Sequence, residues 1–198
     1  MKYAACGLLF ASCMLLGSAN AETAALHWQV LDNKSSIEWS AVYSGKEVKG
    51  TLPDFTADIV FSPEHLDTSH VSVKVAMAKV KSDDRDAQEN LPTGDWFAAA
   101  QYPLAIFEAD SFAHTQGDGY EAKGTLSLRG KSMKVTLPFT AKFYDDKDAA
   151  PSLHYARIMG ETTLKRLDFG IGQGDWAKTD AVADSVKIII HLEAKQVP

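Results

Sequence analysis

From Gly119 to Tyr144 the chain alternates apolar and polar residues in two successive runs. Alternation over this length predicts two antiparallel β-strands, each with one apolar and one polar face. The short stretch 129–132 separates the two runs and predicts a tight turn. Because a two-stranded ribbon cannot bury an apolar face alone, further strands must close over it. The apolar face then encloses either its own side chains or a bound guest.

Similar alternation, in shorter runs, continues through the rest of the chain. Strands are predicted at residues 27–32, 36–41, 48–61, 70–80, 104–112, 153–167 and 185–195. The 48–61 run is interrupted near Pro53, where a proline indicates an edge position or a bulge. Since short turns join consecutive strands, the pattern favours an all-β, up-and-down antiparallel barrel of about eight strands. A two-sheet sandwich is the alternative, and the length of the 119–144 ribbon argues against it.

One region between the fourth and fifth strands breaks the period of two. Residues 82–91 are polar and rich in helix formers, and residues 95–101 predict a second short helix. Trp96 and Phe97 must pack inward, since otherwise they would expose a large apolar patch. We therefore predict a short helical insertion in the barrel, and whether it acts as a lid is left open.

The first 21 residues have the pattern of a cleavable export signal. Lys2 supplies a positive charge, and residues 4–16 form an apolar run too short to span a bilayer comfortably. The small residues of Ala19-Asn20-Ala21 are typical of a cleavage site. We predict cleavage after Ala21 and a single barrel domain over residues 22–198. A retained membrane anchor and a lipoprotein modified at Cys13 are the less favoured alternatives.

Cysteine content and net charge limit the chemistry and the classes of partner that are expected for the exported domain. Both cysteines, Cys6 and Cys13, lie inside the predicted signal, so the exported domain has no disulfide, thiol nucleophile or thiolate ligand. The chain has 20 Lys and Arg against 26 Asp and Glu, a formal net charge of −6. A negative domain of this kind is not expected to bind nucleic acid or an anionic membrane surface as its main partner.

The sequence offers little catalytic chemistry. None of its six histidines lies at metal-ligand spacing from another, and it has no nucleophile elbow or phosphate-binding loop. Asp83, Asp84 and Asp86 are better interpreted as acidic residues that cap and complement a helix N-terminus than as a catalytic or metal cluster. Arg85 and Asp86 are interpreted as an ion pair that fixes the insertion. We predict no catalytic residue and no metal site.

Five motifs, in order, resemble those of the YceI-like family. They are Gly124 to Val135, Arg85-Asp86, Trp96-Phe97 leading to the Tyr102–Phe107 segment, Arg166 to Ile171, and the terminal strand 185–194. Their order and spacing agree over nearly the whole chain after the predicted signal. Each motif alone is weak, and five together are fairly specific.

The resemblance implies a lipocalin-like barrel, exported to the periplasm, that holds polyisoprenoid chains such as isoprenoid quinones or prenyl phosphates. It implies no cofactor other than such a guest. Two segments depart from the family pattern. Residues 88–92 replace the His-Leu that often follows Arg-Asp, and Tyr43-Ser44-Gly45 stands where His-x-Gly is usual. We therefore expect a head-group preference that differs from that of relatives carrying those histidines.

The inward apolar face is the main candidate site. Arg85, Arg129 and Arg166 are the candidate head-group residues, since a cation at the barrel mouth would pair with a phosphate or quinone oxygen. A solvated charge at the rim is the alternative interpretation. Twelve residues are assigned to the interior and to ligand binding: Trp39, Val73, Val75, Met77, Phe107, Leu126, Leu128, Val135, Leu137, Phe139, Ile188 and Ile190.

Three functions compete at this point. The first is a periplasmic carrier or store for a long isoprenoid or similar amphiphile, delivered by a membrane or membrane-protein donor. The second is an enzyme acting on such a lipid, which would need a titratable pair inside the barrel. The third is a stress-protective or protein-binding scaffold with a filled core. A second copy of the chain is a further expected partner. From the alternation alone a filled core is the simpler interpretation, and the resemblance favours the carrier.

Overall fold

The fold is given by a computed structural model that describes residues 26–146 and 153–198. The predicted export signal and its cleavage site lie outside these residues, as does most of the segment between the 119–144 ribbon and the next strand. The strands are β1 His27–Val30, β2 Ser36–Tyr43, β3 Lys46–Thr51, β4 Phe55–Val60, β5 His70–Ala76, β6 Lys81–Ser82, β7 Leu104–His114, β8 Gly119–Leu128, β9 Lys131–Asp146, β10 Leu153–Lys165 and β11 Val182–Val197.

The helices are short. There is one α-helix, α1 Arg85–Asn90, among the described residues. The 3-10 helices are η1 Asp32–Lys34, η2 Leu66–Thr68, η3 Met77–Lys79, η4 Arg166–Phe169 and η5 Gly174–Ala177. Among the described residues, no helix is long and apolar enough to cross a membrane.

The strands form one antiparallel sheet that closes on itself. Its circuit runs β1–β4–β5–β7–β8–β9–β10–β11 and returns to β1. The long strand β11 pairs with β2 along residues 182–191 and with β1 along residues 194–197, so β1 and β2 are two parts of one interrupted strand. In the same way, β3 pairs with β2 and β4 pairs with β1, so β3 and β4 are two parts of one strand. Strand β5 pairs with β4 and β6 pairs with β3, so β5 and β6 are likewise two parts of one strand. The predicted eight-stranded up-and-down barrel is confirmed.

Two details of the insertion differ from the sequence-based expectation. The first helix forms, with the Asp84 carboxylate accepting a hydrogen bond from the Ala87 amide at 2.8 Å. The second helix does not form, because Ala98 adopts a left-handed φ of 48°, which a right-handed helix excludes. The ion pair of Arg85 is made with Glu89, one helical turn away, at 3.0 Å rather than with Asp86. The expected pairing of Arg85 with Asp86 is wrong.

The interior packs as two clusters, one at each end of the barrel. One surrounds Trp39, Met77 and Leu91, beneath α1 and the turns that follow it. The other surrounds Trp28 and Phe61 at the opposite end. Strand β8 connects them, since Tyr120 at its start belongs to the second cluster and Leu128 at its end to the first. The space between the clusters is therefore the centre of the barrel.

Gly50 allows the first cluster to close. The Trp39 indole donates a hydrogen bond to the Lys81 carbonyl at 3.1 Å, and this bond lies directly against Gly50. A methyl group on Gly50 would overlap both the Lys81 carbonyl oxygen and the Trp39 indole nitrogen. Absence of a side chain at this position on β3 thus lets Trp39 of β2 reach across β3 to Lys81 of β6.

We expect Gly50→Ala to lower the free energy of unfolding by about 3 kcal/mol, because overpacking and loss of a partly buried hydrogen bond add together. Equilibrium urea denaturation measures this loss. Gly94→Ala is the matched control, since a methyl group there meets no atom within 4 Å. Equal stability of the two variants would contradict the packing argument.

Candidate functional site

The centre of the barrel contains a cavity of about 280 Å³. This volume lies near the lower end of the roughly 300–1,000 Å³ typical of small-molecule sites. Among the described residues, every side chain in its wall is aliphatic or aromatic except Thr162 and Arg166. The Thr162 hydroxyl donates to the Thr136 carbonyl at 3.2 Å, so its hydrogen-bonding capacity is partly used within the sheet. The cavity is therefore suited to an apolar guest.

Small inward side chains help to keep the space open. An eight-stranded barrel is just wide enough to be filled by its own side chains or to hold one small ligand, so inward residue size decides between the two. Six inward positions are alanines: Ala41, Ala57, Ala105, Ala122, Ala141 and Ala156. These positions come from different strands, so open space is distributed along the barrel rather than confined to one layer.

The structure places all twelve sequence-assigned interior residues in the cavity wall: Trp39, Val73, Val75, Met77, Phe107, Leu126, Leu128, Val135, Leu137, Phe139, Ile188 and Ile190. Their role in ligand binding stays a prediction. Met133 shares the parity of Val135 but is 38% exposed, because it lies near the start of β9 beside the hairpin turn.

Sequence reasoning missed several wall residues. Phe112 lines the cavity although it has the opposite parity to Phe107, because a bulge in β7 between Ala109 and Ser111 shifts the register. Trp96 and Phe97 also line the cavity, from the insertion above it. Their predicted inward packing was the signal that could have assigned them to the site.

In the described part of the cavity wall, Arg166 is the ionisable residue. It is only 2% exposed, and it donates to four backbone carbonyls, of Ile171, Lys178, Val182 and Ala183, at 2.8–3.1 Å. Among the described residues, no carboxylate lies within ion-pair distance of it. Burial lowers the pKa of Arg166, and the nearby Asp184 charge opposes that shift. An arginine remains charged at neutral pH even so. Its side chain thus holds the segment between η4 and β11 against the cavity end.

Trp96 lies beside Arg166 at the same end. The guanidinium carbon of Arg166 is 5.8 Å from the centre of the Trp96 ring, a cation–π distance. The Trp96 indole N–H is buried and has no hydrogen-bond partner among the described residues. One end of an otherwise apolar cavity therefore carries a buried cation and a free donor.

The other two candidate arginines lie outside the cavity wall. The Arg85 side chain is 87% exposed on α1 and pairs with Glu89. Arg129 lies at the β8–β9 turn, where it donates to the Gly94 carbonyl at 2.7 Å. The cavity thus has one of the three proposed head-group residues in its wall.

Metal and acid–base chemistry find little support in the described part of the chain. No group of three or more His, Asp or Glu residues is arranged to hold a metal ion within residues 26–146 and 153–198. The described cavity wall contains no carboxylate or histidine. The cavity is suited to binding, because it can remove the apolar surface of a guest from water and offers hydrogen-bond donors at one end.

A closed eight-stranded barrel around an apolar cavity defines a lipocalin-like binding protein. The YceI-like domain matches residues 28–194, and the chain belongs to this family. YceI-like barrels bind hydrophobic ligands.

Individual relatives agree with this assignment. Protein YceI of Escherichia coli O17:K52:H18 is 28% identical over 204 aligned positions, which cover 99% of each chain. A UPF0312 protein of Azotobacter vinelandii is 30% identical over 73% of this chain and 72% of its own. The crystal structure of BcnA from Burkholderia cenocepacia superposes with a TM-score of 0.72 at 27% identity, covering 83% of this chain and 99% of BcnA. None of these names states an enzymatic activity.

Proposed function

We propose that this protein binds a long isoprenoid chain, of an isoprenoid quinone, a prenyl phosphate or a similar amphiphile, inside its barrel. The observation that carries the proposal is the apolar cavity of about 280 Å³ between the two packed ends. The protein stores or transports this guest in the periplasm, receives it from a membrane or a membrane protein, and does not transform it. The predicted export signal supports the location.

The hydrophobic effect alone supplies enough affinity. Burial of one methylene-sized group contributes about 0.8 kcal/mol, so a five-carbon prenyl unit contributes at most ~4 kcal/mol. Part of this is offset by the lost freedom of the guest and of the side chains around it. Two or three buried units therefore suffice for binding without a catalytic group.

The composition of the cavity wall supports binding without chemistry. General acid–base catalysis needs a group that exchanges protons near neutral pH. Arg166 is the ionisable side chain in the described wall, and an arginine guanidinium keeps its proton near neutral pH. An open cavity also argues against the alternative of a scaffold with a filled core.

Native mass spectrometry of protein purified gently from the periplasm tests the proposal. We expect a stoichiometric adduct whose mass, after organic extraction, corresponds to a prenyl chain with its head group. An empty protein that also fails to take up added isoprenoid quinone or prenyl phosphate would overturn the proposal in favour of the scaffold.

A further inference from the structure

Three nitrogen donors converge above Gly170, the residue that ends η4. A methyl group on Gly170 would lie 3.3 Å from Arg129 Nη1, 3.3 Å from Gln173 Nε2 and 3.4 Å from Lys131 Nζ. These donors come from the β8–β9 turn, the first residue of β9 and the loop before η5. Gly170 has a left-handed φ of 69° and no side chain, so the three donors can approach its backbone closely. We call this arrangement the Gly170 cradle.

Each donor in the cradle keeps unused capacity. Lys131 Nζ donates to the Asp168 carbonyl at 3.1 Å, and the Gln173 amide donates to the Gly170 carbonyl. A lysine ammonium has three N–H bonds and a glutamine amide has two, so both retain a free donor. Arg129 donates through Nη2 to the Gly94 carbonyl, and its Nη1, the atom that faces Gly170, makes no hydrogen bond among the described residues.

The charge of the cradle is also uncompensated. Neither Arg129 nor Lys131 has a carboxylate within 4 Å in the described part of the chain. In a protein of formal net charge −6, two adjacent unpaired cations form a local positive site.

The backbone conformation of Arg129 also supports a functional role for its side chain. Arg129 and Gly130 have φ values of 51° and 72°, and two left-handed residues in a hairpin turn favour Asn-Gly. A left-handed conformation costs a residue such as arginine roughly 1–2 kcal/mol. Turn geometry therefore does not favour arginine at this position, and we attribute its presence to the contacts that its side chain makes. Strain of this kind is a feature of functional sites.

We propose that the Gly170 cradle binds a phosphate-type oxyanion. Arginine offers a planar fork, lysine a point charge and glutamine a neutral donor, and together they match three oxygens of a phosphate. Gly170 lies between Phe169 and Ile171, which both line the cavity, so the cradle is at the rim of the barrel. The cradle stands on its own donors and does not rest on the presence of a guest in the barrel.

Two sources of the anion share this chemistry: free phosphate and the head group of a prenyl phosphate. Isothermal titration calorimetry of the exported protein with inorganic phosphate, farnesyl phosphate and farnesol separates them. We expect Lys131→Gln to weaken binding of the matching phosphate about tenfold, since a charge-assisted hydrogen bond is lost. Farnesol binding should be unchanged in this variant.

Lys134→Gln is the matched control, because Lys134 lies on the same strand, is exposed, and donates only to the Thr125 hydroxyl among the described residues. It removes the same charge without touching the cradle. Arg129→Asn is a second test that keeps the left-handed turn, since asparagine tolerates that conformation. We expect it to fold and to lose phosphate binding about as far as Lys131→Gln.

Loss of inorganic phosphate binding in both cradle variants would identify a free anion, and loss confined to farnesyl phosphate would identify a lipid head group. Both outcomes support the cradle. Equal affinities of Lys131→Gln and Lys134→Gln for both phosphates would overturn it. If farnesol fails to bind any variant while phosphate still distinguishes them, the proposed barrel function fails and the cradle stands.

Discussion

Arg166→Met is expected to lower the free energy of unfolding by about 3 kcal/mol or more. Methionine fills a similar volume but leaves four backbone carbonyls without their donor. Two of these bonds, to Ile171 and Val182, are buried, where each unsatisfied acceptor costs about 1–3 kcal/mol. Relief of the buried charge offsets part of the loss, yet removal of one side of a buried polar network is destabilising on balance.

Equilibrium denaturation measures this effect when the free energies of unfolding of Arg166→Met and Arg85→Met are compared. The Arg85 side chain is 87% exposed and forms a single surface pair with Glu89, so its replacement should cost no more than about 0.5 kcal/mol. Arg166→Lys should fall between the wild-type protein and Arg166→Met in stability, because one ammonium cannot reach four carbonyls arranged around a planar fork. Similar losses for Arg166→Met and Arg85→Met would show that the carbonyl network contributes little.

The barrel and the direction of most interior side chains could be predicted from the sequence because period-two alternation is a local signal. Ala122, Leu126 and Leu137 follow it and line the cavity. The signal fails where the backbone departs from a regular strand. At the β7 bulge it loses Phe112, and at Ala98 the helix propensity of the segment gives way to tertiary packing.

The polar end of the site was only partly predictable. Arg166 was a candidate as a cation at the barrel mouth, but its burial depends on carbonyls from residues 171–183, whose approach no local pattern encodes. The unpartnered Trp96 donor depends likewise on turns that the sequence suggested as a helix. The Gly170 cradle brings together residues about 40 positions apart, 129–131 and 170–173, and is visible only in three dimensions.

Val135→Trp is expected to reduce affinity for farnesol by about 100-fold while leaving the barrel folded. Val135 lies in the first third of β9, lines the cavity, and pairs with Gly124, which has no side chain. An indole directed inward from this position occupies space that a guest chain needs. Exclusion of one prenyl unit removes at most ~4 kcal/mol of hydrophobic burial, and 100-fold corresponds to about 2.7 kcal/mol.

Thr136→Trp provides the control from the next position on the same strand. Its side chain is exposed on the outer face, and the hydrogen bond that Thr136 accepts from Thr162 uses its backbone carbonyl, so the exchange leaves the wall intact. Displacement of a fluorescent fatty probe by farnesol, read together with the unfolding midpoint, distinguishes the possible results. A stable Val135→Trp that no longer binds would locate the guest inside the barrel. A stable Val135→Trp that binds as tightly as Thr136→Trp would mean that the guest binds elsewhere, because the introduced indole and the guest cannot occupy the same space.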